Sequence, residues 1–166
     1  KYCPSTKSIS KLAHQQNNNK SIQCDNIVDL EVGVDGNIVA INRYGVVETI
    51  DRKTMNVIKR VDLNIESKGE ILITYDLFID KDGDYWVYSL NDASGLYYYS
   101  PQSGQQKWLS ANNGPLKLTS NIIAGLQQDM LGMIWVGTDH GGINIIDKKT
   151  MSVSVVEHQQ GVLNSL

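Results

Sequence analysis

The sequence predicts an all-β fold of about three four-stranded antiparallel β-propeller blades, which form an arc of a larger propeller. A turn–strand–loop–strand pattern occurs three times, at residues 32–51, 78–100 and 127–147. Its turn glycines follow one another at intervals of 47 and 49 residues, at Gly36, Gly83 and Gly132. A period of ~40–50 residues that contains several short strands is typical of a propeller blade.

The two ends of the chain have similar sequences and fall at the same position within the repeat. Residues 8–22 have the sequence SISKLAHQQNNNKSI, and residues 152–166 have the sequence SVSVVEHQQGVLNSL. His14 aligns with His158, and their separation of 144 residues equals three repeats of 48. We therefore expect both ends to lie late in an outer strand and in the polar crossing to the next blade.

In the first blade, strands are predicted at 27–32, 37–41, 46–51 and 56–61. Their β-branched residues suit a pleated, half-buried surface. The segment Val34-Asp35-Gly36-Asn37 predicts an Asp-Gly hairpin turn between the first two strands.

In the second blade, strands are predicted at 72–79, 85–90, 95–100 and 106–109. An Asp-Gly turn at 81–84 separates the first two. Successive side chains of a strand point to opposite faces, so Tyr98 is expected to face away from Tyr97 and Tyr99. All three tyrosines are expected to pack against neighbouring blades.

In the third blade, strands are predicted at 122–127, 133–137, 143–147 and 153–157. Asp129 and Gly132 form the first turn, and Gly141-Gly142 leads into the third strand. Lys148 and Lys149 are interpreted as a turn pair. Polar crossings between blades are predicted at 15–20 and 112–115, and no helix is predicted.

The repeat divides the chain into four stretches. Residues 1–22 are predicted to end a preceding blade and cross to the next one. Blades follow at 23–66 and 67–117, and 118–166 contains the third blade and the crossing to the next. Propellers close with about four to eight blades, so an open arc leaves apolar faces uncovered. We expect the remaining blades of the same propeller as partners, with a homodimer as the alternative.

Composition excludes several classes of protein. A formal net charge of −3 and a pI near 5.5 argue against a nucleic-acid-binding protein. Two cysteines, Cys3 and Cys24, are too few for a disulfide framework or a structural zinc site. We expect both thiols to be free, with Cys24 packed as a small apolar residue, and a bridge between them as the alternative. No apolar run is long enough for a membrane span, and Lys1 is interpreted as the start of an excised segment.

The third repeat, SNIIAGLQQDMLGMIWVGTDHGGINIID, resembles the two-component regulator propeller repeat. The residues that match its pattern are Ser120, Asn121, Asp129, Gly132, Ile134, Trp135, Gly137, Thr138, Gly141, Gly142 and Asp147. The second repeat keeps Asp80, Gly83, Trp86, Gly95 and Leu96, with Tyr88-Ser89 in place of Gly-Thr. The first keeps Gly36 and Gly45, with Val39 in place of the Trp.

This resemblance implies a function that composition and spacing do not supply. Repeats of this family build the periplasmic sensor of Bacteroides-type hybrid two-component proteins, in front of a membrane helix, a histidine kinase and a response regulator. Many such sensors detect oligosaccharides and regulate polysaccharide-utilisation genes through a phosphorelay. The resemblance therefore implies a fragment of a periplasmic sensor in a membrane-anchored protein. Such a fragment would be no enzyme, would carry no cofactor or metal, and would bind an oligosaccharide.

Propellers commonly bind ligands at the face formed by the loops between second and third strands and by the crossings. The polar residues of these loops can supply the planar hydrogen bonds and the stacking that a sugar needs. The candidate ligand-binding residues are Asn42, Arg43, Tyr44, Asn91, Asp92, Asp139 and His140. The alternative is that this is the ordinary composition of exposed loops.

Several other residues suggest chemistry that their context does not favour. The segment Asp80-Lys81-Asp82-Gly83-Asp84 resembles a calcium loop but lacks the spacing of an EF-hand, so a hairpin turn is favoured. Trp86 and Trp135 lie in the middle of second strands, which favours core packing between blades over sugar stacking. Trp108 is predicted to be an edge or packing residue.

The isolated histidines carry no pattern of metal ligands. His14 and His158 are expected to have a structural role in crossings, and His140 to be exposed in its loop. Two further hypotheses remain: a scaffold for protein–protein interaction, and a propeller lyase or glycan-cleaving enzyme. The enzyme needs a catalytic His or a carboxylate pair that converges on the channel, and the sequence shows no clear one.

Overall fold

The computed structural model describes residues 1–65, 73–112, 114, 116–158 and 161. Over these residues the chain forms fourteen strands and no helix. The first pair is β1 (Tyr2–Cys3) and β2 (Ser8–Ile9). The next four are β3 (Ile27–Val32), β4 (Ile38–Asn42), β5 (Val46–Ile50) and β6 (Val57–Asp62). They are followed by β7 (Tyr75–Ile79), β8 (Tyr85–Ser89), β9 (Leu96–Tyr99) and β10 (Gln106–Leu109). The last four are β11 (Ile123–Gln128), β12 (Ile134–Thr138), β13 (Ile143–Asp147) and β14 (Ser152–Val156).

The strands after β2 form three four-stranded antiparallel sheets, each with its strands in chain order, β3 to β6, β7 to β10 and β11 to β14. These sheets are propeller blades, which confirms the predicted fold class. The predicted strands at 27–32, 106–109 and 143–147 have the observed bounds, and most others begin or end one residue away. The small β1–β2 sheet was not predicted, because two-residue strands leave no periodic pattern.

Some of the sequence-based predictions fall outside the described residues. They include the boundary between the first two blades at 66 and 67, the start of the predicted strand at 72–79, and part of the crossing at 112–115. The C-terminal match to the N-terminal tail, at 152–166, lies partly there as well, at residues 159, 160 and 162–166. These predictions stay predictions.

The blades pack through alternate faces of their sheets. The first and second share a cluster that contains Val39, Ile41, Tyr85, Val87 and Tyr99. The innermost strands β3 and β7 contact each other in the same region. One face of the first sheet therefore packs against one face of the second.

The second and third blades share a separate cluster around Trp86, whose side chain is fully buried. Tyr98 lies in this cluster, whereas Tyr97 and Tyr99 belong to the one between the first two blades. The predicted alternation of the three tyrosines and the core position of Trp86 are confirmed.

Trp135 departs from its prediction. It occupies the position in β12 that Trp86 occupies in β8, yet 38% of its surface is exposed. The reason is its place in the fold: the side chain lies on the face of the third sheet that points away from the second. No further sheet of the described chain covers that face.

The outer face of the first sheet is partly covered by the N-terminal segment. Ile22 and Leu12 pack there against Ala40, Ile50 and Val57. A mainly apolar groove of about 490 Å³ remains open beside them. In the described part of the chain, no helix has the length and apolar character of a membrane span.

Candidate functional site

The β4–β5 loop contains three of the predicted ligand-binding residues, and the structure separates their roles. Asn42 is fully buried. Its Oδ1 accepts hydrogen bonds from the backbone N–H groups of Tyr44 (2.9 Å) and Val46 (3.2 Å), so it shapes the turn. The guanidinium of Arg43 lies over the ring of Tyr44 at 5.3 Å, and Tyr44 is 57% exposed. Only Arg43 and Tyr44 are therefore placed to meet a ligand.

The β8–β9 loop contains Asn91 and Asp92. Asn91 is exposed, but its Oδ1 accepts the backbone N–H of Thr74 at 2.9 Å, which holds the loop against the start of the innermost strand. Asp92 is half-buried. The next residues of the loop, Ala93 and Ser94, lie in the wall of a cleft that the sequence did not predict.

The β12–β13 loop contains Asp139 and His140, both exposed. The Nδ1 of His140 lies 2.8 Å from Oδ1 of Asp139. His140 adopts a positive φ of 59° in this tight loop. The predicted exposed position of His140 is confirmed.

The unpredicted cleft has a volume of about 480 Å³ and opens where the end of the first blade meets the outer strands of the second. Its lining residues come from three regions of the chain. The first region is Leu63 and Asn64, and the third is Asn112 and Asn121. The second consists of Ala93, Ser94, Tyr97, Tyr98, Gln106, Lys107 and Trp108. The described residues that line it include one cationic side chain, Lys107, and no carboxylate.

Trp108 forms the aromatic wall of the cleft. It is 49% exposed on the edge strand β10 and stacks on Tyr97, with ring centroids 6.3 Å apart and an interplanar angle of 18°. Its indole Nε1 donates a hydrogen bond to the carbonyl of Ser94 at 2.6 Å. The prediction of an edge or packing residue is confirmed, and the same residue also presents one aromatic surface to solvent.

Ser94 lies beneath this wall and is 7% exposed. Its Oγ is buried and meets no hydrogen-bond partner among the described residues. Leaving a buried hydroxyl unsatisfied costs about 1–3 kcal/mol, so such a group calls for a physical explanation.

The Asp80 loop is a hairpin turn, as predicted. Asp80 is buried and its Oδ1 accepts the backbone N–H groups of Asp82 (2.9 Å) and Asp84 (3.1 Å). Its Oδ2 accepts the indole N–H of Trp86 at 2.9 Å. The Asp80 carboxylate thus accepts three hydrogen bonds from within the second blade, which organise the loop.

The cation that this loop holds is an ammonium from the third blade. Nζ of Lys148 lies 2.6 Å from Oδ2 of Asp80, 2.6 Å from Oδ2 of Asp82 and 3.0 Å from Oδ2 of Asp84. Burial opposes the charge of Lys148, but the hydrogen bonds to these carboxylates outweigh it and raise the pKa of Lys148. The same ammonium lowers the pKa of Asp82. The sequence showed Lys148 only as a turn residue.

A carboxyl pair lies on the innermost strands, where the sequence showed no clear one. Oδ2 of Asp29 on β3 accepts the backbone N–H of Leu77 on β7 at 2.8 Å. Oδ2 of the neighbouring Asp76 accepts the hydroxyl of Tyr88 at 2.6 Å. Burial and then the hydrogen bond and charge of Asp29 raise the pKa of Asp76, against the opposing hydrogen bond from Tyr88. The pair was missed because its members stand 47 residues apart in neighbouring repeats.

The other singled-out side chains have local roles. Nδ1 of His14 lies 2.9 Å from the carbonyl oxygen of Ile22, which confirms its structural place in the crossing. Cys3 and Cys24 are unbridged in this structure, and both are half-buried. Hydrogen bonds from Ser5 and Thr6 lower the pKa of the Cys3 thiol to about 7.

Comparison with protein-family models and with curated protein sequences gives no match. Solved structures do match the fold. One is the extracellular domain of BT3049 from Bacteroides thetaiotaomicron, a protein proposed to be a hybrid two-component system. It aligns with a TM-score of 0.65 at 16% identity, over 92% of this chain and 20% of that one. Another is the extracellular domain of BT4673 from the same organism, also proposed to be a hybrid two-component system. Its TM-score is 0.43 at 18% identity, over 99% of this chain and 27% of that one.

The match to BT3049 shows a shared fold, and this chain spans 20% of its length. BT3049 is described as a protein of the class that the third sequence repeat resembles.

Proposed function

We propose that this chain is part of the extracytoplasmic sensor of a hybrid two-component signalling protein, and that it binds an oligosaccharide without transforming it. The observation that carries the proposal is the three-blade fold, which aligns over 92% of the chain with the extracellular domain of BT3049. The motif residues of the third repeat support the same class of protein.

The proposal extends to the whole protein. A periplasmic sensor of this kind would be anchored by a membrane helix and would control a kinase and phosphorelay that regulate polysaccharide-utilisation genes. A ligand shifts such a sensor only by binding one of its conformations more tightly than the other. The interfaces between blades are the places where binding can be converted into a change of packing.

The free face of the third blade supports a further blade as partner. Asp129 is arranged like Asp80: its Oδ1 accepts the backbone N–H groups of Leu131 and Met133, and its Oδ2 accepts the indole N–H of Trp135 at 2.9 Å. In the second blade, Lys148 completes this arrangement from the neighbouring sheet. We propose that a blade of the same propeller covers Trp135 and brings a basic residue to Asp129. A second copy of the chain is the alternative occupant.

The carboxyl pair is the one observation that favours an enzyme, and its geometry argues against a glycan-cleaving one. Glycosidases hold their two carboxyl groups about 5–5.5 Å or 6.5–9.5 Å apart, with the sugar between them. Asp29 and Asp76 instead lie close enough for Asp29 to raise the pKa of Asp76, after burial as the main cause. The contact of Asp29 with Leu77 joins the first two blades, and the contact of Asp76 with Tyr88 lies within the second.

Isothermal titration calorimetry tests the proposal. The folded chain and the full-length sensor are titrated with xylohexaose, mannohexaose, maltohexaose and oligosaccharides released from mucin glycans. We expect saturable binding of one class and no increase in reducing ends on prolonged incubation. New reducing ends would establish an enzyme instead. If the full-length sensor bound none of these sugars, the sensing proposal would fail and the protein-interaction scaffold would be favoured.

A further inference from the structure

The cleft beside Trp108 has the size and rigidity of a preformed ligand site. Its volume of about 480 Å³ falls within the ~300–1,000 Å³ of small-molecule pockets. The hydrogen bond to Ser94 and the stack on Tyr97 hold the indole of Trp108 in place. Because the ring is fixed before binding, a ligand that stacks on it does not have to order that side chain.

The polar groups around the ring identify the chemical class of ligand. Asn64, Gln106 and Asn112 line the cleft, and each amide can both donate and accept hydrogen bonds. This capacity matches hydroxyl groups, which also donate and accept. The half-exposed indole offers an apolar plane for the C–H face of a pyranose ring. The charged side chain among the described lining residues is the cation Lys107, so the cleft does not favour a cationic ligand.

Ser94 supplies an independent observation. Its side-chain oxygen is unpartnered among the described residues, and the residue lies in the wall of this cleft. The backbone carbonyl of Ser94 accepts the indole N–H of Trp108, so Ser94 helps to fix the aromatic wall of the cleft. Among the predicted loop residues, Asn42 is consumed by its own turn.

We infer that the cleft is the binding site for a neutral oligosaccharide, with Trp108 as its stacking platform and the surrounding amides as its hydrogen-bonding groups. The inference rests on the proposed function and moves its site from the predicted loops to the outer edge of the second blade.

The experiment measures the affinity of the folded chain for each neutral hexaose named above by calorimetry and by quenching of tryptophan fluorescence. Trp108→Ala is expected to weaken binding about tenfold or more, as for a central aromatic anchor. Trp108→Phe should retain more of the affinity than Trp108→Ala. Trp135→Ala is the matched control, because Trp135 is 38% exposed on another blade. It should bind like the parent chain.

A second variant separates binding from folding. Asn112 is exposed, so Asn112→Ala should leave the unfolding temperature unchanged and still weaken binding several-fold. If both Trp108→Ala and Asn112→Ala bound the sugar like the parent chain, the cleft would be the wrong site while the proposed function stood. If the folded chain bound no neutral hexaose, the assignment of ligand class to this cleft would be overturned. The proposed function would fail as well only if the full-length sensor also bound none of the sugars in the titration series.

Discussion

The ammonium of Lys148 lies 2.6 Å from Oδ2 of Asp80 and thereby joins the third blade to the second. The same Nζ contacts Asp82 and Asp84, and Oδ2 of Asp84 also accepts the hydroxyl of Tyr98 at 2.9 Å. Asp80 is fully shielded from solvent and Lys148 nearly so. The ion cluster is therefore part of the interface between the two blades.

Replacing Lys148 should destabilise the chain strongly. Lys148→Met leaves the buried carboxylates of Asp80 and Asp84 without a cation, which typically costs about 3–5 kcal/mol. The free energy of unfolding, measured in urea at neutral pH, reports the loss. Lys149→Met is the control, because Lys149 is exposed and should change stability by no more than about 0.5 kcal/mol. Equal effects of the two substitutions would refute this role of Lys148.

The strands were predictable because their signals are local. Asp-Gly turns, alternating β-branched residues and the 47- to 49-residue spacing of the turn glycines mark strands and repeats within short windows. The alternation of Tyr97, Tyr98 and Tyr99 likewise follows from the pleat alone.

The candidate site was less predictable because its contacts join distant segments. Lys148 and Asp80 are separated by 68 residues, and the cleft forms only where Asn64 of the first blade approaches Trp108 of the second. Asn42 was hard to interpret for a different reason, although its contacts are local. A loop Asn that binds a ligand and a buried Asn that caps its own turn look the same in the sequence.

Asp76 should give the chain an unusual response to pH. Its pKa in the folded state is raised above the ordinary 3.8, so the charged carboxylate is a cost to the fold at neutral pH. Asp76→Asn removes the charge and keeps an acceptor for Tyr88. We expect a higher unfolding temperature at pH 7, and the gain should vanish at a pH below about 3.8, where Asp76 is neutral in both states.

The comparison for this experiment is Asp129→Asn. The pKa of Asp129 is lowered, first by the hydrogen bond from Trp135, so its charge stabilises the fold at pH values above about 3.8. This stability is lost as the pH falls through the folded pKa. Asp129→Asn should therefore lower the unfolding temperature at pH 7 and have less effect in acid. Thermal unfolding followed by circular dichroism from about pH 3 to 8 measures both variants. If both substitutions changed the unfolding temperature at pH 7 in the same direction, the opposite pKa shifts of Asp76 and Asp129 would be contradicted.

Gly95 should tolerate alanine poorly. It adopts a φ of +83°, and an added Cβ would collide with the carbonyl oxygen of Leu109 on the edge strand. Gly104 has a similar φ of +72° but open space around the Cβ position. Gly104→Ala should thus cost only the backbone strain, about 1–2 kcal/mol, whereas Gly95→Ala should cost more. Urea unfolding measures the free energy of unfolding of both variants, and the difference between them is the cost of the collision. Equal losses of free energy would show that the Leu109 carbonyl moves aside.

Trp86 and Trp135 occupy equivalent positions but should respond differently to truncation. Trp86 is fully buried between two blades, so Trp86→Ala should lower the free energy of unfolding by about 3–5 kcal/mol. Trp135 is 38% exposed, and Trp135→Ala should cost clearly less in this chain.

Solvent access to Trp135 tests the proposed neighbouring blade directly. Hydroxyl-radical footprinting read by mass spectrometry compares its oxidation in this chain and in the full-length protein, with Trp86 as the protected reference. If a further blade covers the third sheet, Trp135 should be oxidised readily in the isolated chain and become nearly as protected as Trp86 in the full-length protein. Protection that instead rises with the concentration of the isolated chain would indicate a second copy on this face. Equal oxidation in both proteins at every concentration would mean that neither partner covers it.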